Sequence, residues 1–199
     1  MRDGRSPADS RPAAGTAATL AAALEYAVIS AAEVGLADLG RPSACDAWTV
    51  AETLAHLVRS LRCVAASLAS GEVPPVTPPR TGPNTARSLR RDLAGAAAAL
   101  TAAAGDLRGR RSVAVDGLPL PCHRLIVVGA IEATVHGWDV RPARPIPDDL
   151  ATRLLAELPS VLDRGTRPGL FAEPVARPPG CGPGARLLAA LGRDDRRCP

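Results

Sequence analysis

Residues 129–139 read Gly129-Ala-Ile-Glu-Ala-Thr-Val-His-Gly-Trp-Asp139 and close an apolar run that begins at Leu125. The length of this run and the absence of proline from it favour a helix, and a helix that is apolar all round is usually buried among others. Glu132 and His136 are four residues apart, so they share one face of that helix, about one turn from each other. From this spacing a carboxylate and an imidazole can both reach one ion.

A buried Glu132 requires a partner. An unpaired charge in an apolar interior costs several kcal/mol, about enough to unfold a marginal domain, so the carboxylate needs a metal, a cation or a proton. A metal ion satisfies Glu132 and His136 together. An internal hydrogen bond between them, or a pair that merely faces a solvent groove, explains the spacing equally well, and only a third ligand decides between these interpretations.

The chain has three histidines, which makes the search for a third ligand short. His123 lies near the start of the same helix, about 180° from Glu132 on a helical wheel, and is interpreted as a helix-start or surface residue. His56 lies in a second helix, whose start carries the capping-box pattern Thr49 and Glu52. It projects from the polar face of that helix, which either is solvated or lines a cleft against the Glu132 helix. The opposite face carries an apolar stripe: Val50, Leu54, Leu57, Val58, Leu61, Val64 and Leu68.

Composition favours an all-α fold. Aromatic residues make up only 2% of the 199 residues, so a core must be built from Ala, Leu and Val, which suits closely packed helices. We expect a disordered leader over residues 1–15 and a single helical-bundle domain over residues 16–199, with a proline-rich connector at 73–83. The predicted elements are helices at 16–39, 50–70, 85–107, 122–140, 147–163 and 185–191, and a short hairpin within 112–121 at an Asp-Gly turn.

Charge and cysteine usage exclude several classes of protein. The net charge is +4, but the arginines are scattered and few aromatics are available for base stacking, so we expect no nucleic-acid partner. Neither a secretory signal nor a membrane-spanning run is recognised, so we expect no membrane partner. The five cysteines include no Cys-x-x-Cys pair, which favours a cytoplasmic, reduced protein.

Three separated segments carry a resemblance to a known family. They are Pro42-Ser-Ala-Cys-Asp-Ala-Trp-Thr-Val-Ala-Glu-Thr-Leu-Ala-His-Leu57, Glu132-Ala-Thr-Val-His-Gly-Trp-Asp139 and Arg186-Leu-Leu-Ala-Ala-Leu-Gly-Arg193. Together they resemble the actinobacterial branch of the DinB-like metal-binding superfamily, described as mycothiol-dependent maleylpyruvate isomerase-like. The resemblance implies a DinB-like four-helix bundle with additional short C-terminal helices. It also implies a divalent metal ion held by His56, Glu132 and His136.

Two histidines and one carboxylate leave coordination positions open, as in catalytic metal sites. Zinc is the ion that we favour, although nickel, iron or manganese suits the same ligands. The resemblance implies mycothiol as a low-molecular-weight thiol cofactor, and a small electrophilic substrate that undergoes cis-trans isomerisation or S-transfer. The alternatives are a metal-dependent hydrolase that uses metal-bound water and a non-enzymatic metal-binding bundle. A homodimer through exposed helix faces is left open.

Three residues near these motifs have open roles. Trp48 and Trp138 are interpreted as packing residues, Trp48 as a hydrophobic staple before the second helix. Asp139 is either a helix-terminal carboxylate or a residue that orients a ligand histidine.

Overall fold

A computed structural model describes residues 14–45, 48–75, 85–162, 172–176 and 180–195. Its helices are α1 (Ala14–Ala32), α2 (Val50–Ser70), α3 (Ala86–Gly105), α4 (Cys122–Val140), α5 (Asp148–Val161) and α6 (Pro183–Ala190). Two short strands, β1 (Ser112–Val115) and β2 (Leu118–Pro121), precede α4. The predicted all-α fold with a small hairpin is therefore confirmed. Helix α1 begins at Ala14, inside the predicted leader of residues 1–15. Residues 1–13 of that leader and residues 76–83 of the connector lie outside the described residues.

Helices α1 to α4 form the bundle, in which α1 packs against α4 and α3, and α2 packs against α3 and α4. Helices α5 and α6 pack on each other, and α5 also contacts α4 and α1. Aliphatic side chains fill the core, as the low aromatic content predicts. Its largest fully buried members are Leu54, Leu57, Leu61, Leu68, Leu93, Leu100, Ile126, Ile131, Leu150, Leu154, Leu187 and Leu188.

Helix α2 has the bounds that the sequence predicts because both ends are capped. The Thr49 hydroxyl accepts a hydrogen bond from the Glu52 backbone N–H, and the Glu52 carboxylate accepts one from the Thr49 N–H at 2.8 Å. At the other end Gly71 adopts a left-handed conformation with φ 93°. The Arg110 guanidinium lies against Gly71 and donates to the Ala69 carbonyl at 3.0 Å.

The prediction for the first helix is wrong at its C-terminal end. Helix α1 stops at Ala32, and a short 3-10 turn follows at Leu36–Asp38. Gly35 is extended there, and its N–H donates to the Asp38 carboxylate at 2.8 Å, which turns the chain. Arg90 from α3 donates to the freed Ala32 carbonyl at 3.1 Å. The break is therefore held by one local hydrogen bond and one contact from α3, and helix periodicity reports neither of them.

Residues Gly15–Ala32 of α1 are the single stretch in the described helices that is long and apolar enough to cross a membrane. Length and composition alone are weak evidence, because the core helix of a bundle passes the same test. The inward residues of α1, including Leu20, Leu24 and Tyr26, are buried in the shared core. Packing within the bundle therefore explains the apolar character of this helix.

The expectation of a reduced protein does not hold at Cys181, which is disulfide-bonded. Cys45, Cys63 and Cys122 are free thiols. The sequence lacks a close cysteine pair that would have indicated this bond, since Cys181 lies in a Gly-Pro-rich segment with no neighbouring cysteine.

Candidate metal centre

Helix α4 presents a carboxylate and an imidazole toward α2. Glu132 and His136 lie one turn apart, with 3.7 Å between Glu132 Oε2 and His136 Nε2. Both side chains are largely buried, with exposed fractions of 16% and 6%. The spacing that the sequence shows is thus realised on an inward face of the helix.

Helix α2 supplies two polar side chains to the same point. His56 Nε2 lies 3.3 Å from Glu132 Oε2, and the Ser60 hydroxyl donates to that oxygen at 2.8 Å. His56 and Ser60 are also one turn apart, so α2 presents a short polar strip between its buried leucines. The part of the polar face with His56 and Ser60 therefore lines a cleft against α4.

The three donor atoms have the spacing that a small divalent ion requires. All of them lie within 4.8 Å of one another. Ligands at about 2.1 Å from a tetrahedral zinc ion are separated by about 3.4 Å. The distances of 3.3 and 3.7 Å from Glu132 Oε2 to the two imidazoles are close to this value. The side chains of His56, Glu132 and His136 therefore fit such an ion with little rearrangement.

The surroundings of Glu132 favour its ionised form. Burial alone raises the pKa of a carboxyl group. The hydrogen bond with His56, the charge of His136 and the Ser60 hydroxyl outweigh this, so the pKa of Glu132 is held below its usual value. The residue is consequently a carboxylate, the form that binds a metal ion.

A second set of contacts lies behind His136. Its Nδ1 atom is 2.9 Å from Oδ2 of Asp139, whose side chain is fully buried. Asp139 accepts a hydrogen bond from Arg193 Nη2 at 3.0 Å. Burial alone lowers the pKa of an arginine, but the Asp139 carboxylate raises the pKa of Arg193 overall, so the guanidinium stays charged. Of the two roles considered for Asp139, the contacts favour orientation of His136.

The loop before α2 closes one side of the centre. The Trp48 ring lies 4.6 Å from the His56 ring and 6.0 Å from the His136 ring, measured between centroids. Trp48 therefore packs on the candidate ligands, a contact that the predicted hydrophobic staple did not include. Exposure of the side chains rises from 6% at His136 to 31% at His56, so the centre is open to solvent near His56.

Other residues singled out by the sequence lie elsewhere. His123 is exposed at the start of α4, as predicted. Cys45 lies with His136 and Asp139 in a second group whose donor atoms are within 4.8 Å of one another. In that group His136 Nδ1 and Asp139 are already joined by a hydrogen bond, so we interpret it as support for His136. Sequence reasoning missed the roles of Ser60 and Arg193, because hydrogen bonds between distant elements leave no periodic signal.

Fold and site together define a DinB-like helical bundle with a candidate metal centre between its second and fourth helices. Residues 20–141, more than half of the chain, match the family model described as the mycothiol maleylpyruvate isomerase N-terminal domain. The chain belongs to this family.

Two solved structures have a similar fold. One is a mycothiol-dependent maleylpyruvate isomerase, with 17% sequence identity and a TM-score of 0.57, and the similarity covers 72% of this chain and 68% of that one. The other is a histidine-to-alanine mutant of a mycothiol-dependent maleylpyruvate isomerase, with the same identity and coverage and a TM-score of 0.52. Comparison with curated proteins gives no match.

Proposed function

We propose that this protein is a metal- and thiol-dependent enzyme that isomerises, or transfers a thiol to, a small electrophilic substrate. His56, Glu132 and His136 would hold the divalent ion, with zinc favoured, and mycothiol would be the thiol. The observation that carries the proposal is the convergence of two imidazole nitrogens on Glu132 Oε2, at 3.3 and 3.7 Å. Membership of the family supports the choice of thiol.

Held by His56, Glu132 and His136, a divalent ion would lower the pKa of a bound thiol and so supply a thiolate, the nucleophile that cis-trans isomerisation by addition to a double bond and elimination from it requires. The protein's own part is to prepare this site. The hydrogen bond from Ser60 fixes Glu132, and the contact with Asp139 fixes His136. Because a carboxylate only accepts hydrogen bonds, His136 donates through Nδ1, and in the neutral imidazole Nε2 would then keep a lone pair for the ion.

The shape of the centre favours entry of the substrate near His56. His136 and Asp139 are buried, and Trp48 covers one side of both histidine rings. His56 is the most exposed of the three candidate ligands. A thiol and a small substrate would therefore enter on the His56 side, which is the side open to solvent.

Thiol dependence is tested with the purified, metal-loaded protein and maleylpyruvate, the substrate in the names of the similar structures. We expect formation of the trans isomer with mycothiol, and its loss in His56→Ala but not in His123→Ala, which removes an exposed histidine away from the centre. Equal turnover without any thiol would contradict the proposal and favour hydrolysis by metal-bound water. A bound ion with no turnover of this or related electrophiles would favour a metal-binding bundle without catalytic activity.

A further inference from the structure

Arg193 reaches the candidate centre from a distant part of the chain. It follows helix α6 and lies outside residues 20–141, the range that matches the family model. Its Nη1 atom donates to the Leu191 carbonyl at 2.9 Å, which anchors the guanidinium at the end of α6. From there Nη2 lies 3.0 Å from Asp139 Oδ2, and Nε lies 3.4 Å from Oδ1. The guanidinium thus engages both oxygens of a fully buried carboxylate.

Asp139 transmits this contact to His136. The same Oδ2 atom lies 2.9 Å from His136 Nδ1. With Nδ1–H held by Asp139, His136 directs Nε2 toward Glu132, at 3.7 Å. Two hydrogen bonds therefore connect Arg193, through Asp139, to Nδ1 of His136, and each of these three side chains is at most 10% exposed.

We propose that Arg193 is a positioning residue for the metal centre: its planar guanidinium fixes the Asp139 carboxylate, which in turn sets the orientation of the His136 ring. This proposal rests on the metal site proposed above. An arginine that binds both carboxylate oxygens restrains the plane of the carboxylate as well as its charge, which a lysine does not do. The segment after α6, which carries Arg193, then supports the metal centre as well as packing on the bundle.

Metal affinity gives the first test. We expect Arg193→Ala to weaken zinc binding by about 10- to 100-fold in a competition assay with a chromophoric chelator, which is the usual effect of losing an outer partner of a ligand. Arg193→Lys keeps the charge but loses the planar fork, so it should fall between Arg193→Ala and the parent. Arg186→Ala removes an exposed arginine from α6 and is the matched control, for which we expect parental affinity.

The second test uses the metal-free protein, so that it is independent of the metal site. Long-range ¹H–¹⁵N spectra report which nitrogen of each histidine carries the hydrogen. We expect one Nδ1–H form of His136 in the parent and a mixture of forms in both Arg193 variants, with His56 unchanged. If Arg193→Ala does not fold, Arg193→Lys supplies both readouts.

Parental zinc affinity and a parental His136 spectrum in Arg193→Lys and in any folded Arg193→Ala would overturn the inference. Arg193 would then serve packing alone. If the parent binds no metal but the His136 spectrum still changes, the metal site fails while the positioning role of Arg193 stands.

Discussion

Ser60→Ala should weaken the metal centre without removing a ligand. The Ser60 hydroxyl donates to Glu132 Oε2 at 2.8 Å, and that oxygen is the atom on which both imidazoles converge. A hydrogen bond to a charged group contributes about 1.5–3 kcal/mol. A distance of 2.8 Å is long for a hydroxyl that donates to a carboxylate, so the lower end applies. About 1.5 kcal/mol corresponds to a loss of about tenfold in affinity.

The assay is zinc titration against a competing chelator, in the parent and in two variants on the same helix. Ser67→Ala is the control, because the Ser67 hydroxyl donates a hydrogen bond to the Cys63 carbonyl and not to a candidate ligand. We expect full occupancy at saturating zinc in all three proteins, with a larger dissociation constant only in Ser60→Ala. An unchanged constant in Ser60→Ala, beside a large loss in Glu132→Gln, would refute the reasoning, since Glu132 would then bind the ion without support from Ser60.

Three further predictions follow from the packing and charge of the same region. A Cβ at Gly137 would lie 3.0 Å from a backbone atom of α1, so Gly137→Ala should destabilise the fold by about 1–3 kcal/mol in thermal unfolding. A Cβ at Gly129 would mainly contact the terminal methyl group of Leu100, which can shift, so Gly129→Ala should be less destabilising. Burial raises the pKa of Glu132 and its hydrogen-bonded and charged neighbours lower it, and the net effect is a lowering. In protein freed of metal with a chelator, the stabilisation by ionised Glu132 is therefore present above pH about 4.3 and lost at lower pH. The difference in free energy of unfolding between the parent and Glu132→Gln, measured with urea, should shrink at that lower pH. Because Trp48 packs on His56, nickel binding should quench tryptophan emission in Trp138→Phe but not in Trp48→Phe; equal quenching in both would place the ion elsewhere.

Local signals were sufficient to predict the helices that carry the site. Helix α2 has its capping box at Thr49, a continuous apolar stripe and Gly71 as its C-terminal cap, and each of these is visible in the sequence. Helix α4 begins directly after Pro121 at the predicted residue. The end of α1 was not predictable in the same way, because the break near Gly35 depends on contacts with Arg90, which arrives from α3.

The same distinction, between signals within one helix and contacts between distant elements, applies to the residues of the candidate site. The spacing of Glu132 and His136 within one helix identified them as a pair. Periodicity placed His56 on the polar face of α2 but gave no information on what lies opposite, so its place in the set came from the family resemblance. Arg193 and Trp48 reach the centre from loops, and loop geometry follows from tertiary packing rather than from a repeating pattern. Their contacts became visible only in three dimensions.

The central claim is that His56, Glu132 and His136 hold a metal ion, and elemental analysis of the purified protein tests it most directly. The parent, His56→Ala, His136→Ala and the exposed-site control His123→Ala should be prepared identically and reconstituted with divalent ions. The account predicts about one ion per chain in the parent and in His123→Ala, and little metal in the other two variants. A parent that binds no ion after reconstitution, or full occupancy in His56→Ala and His136→Ala, would contradict it.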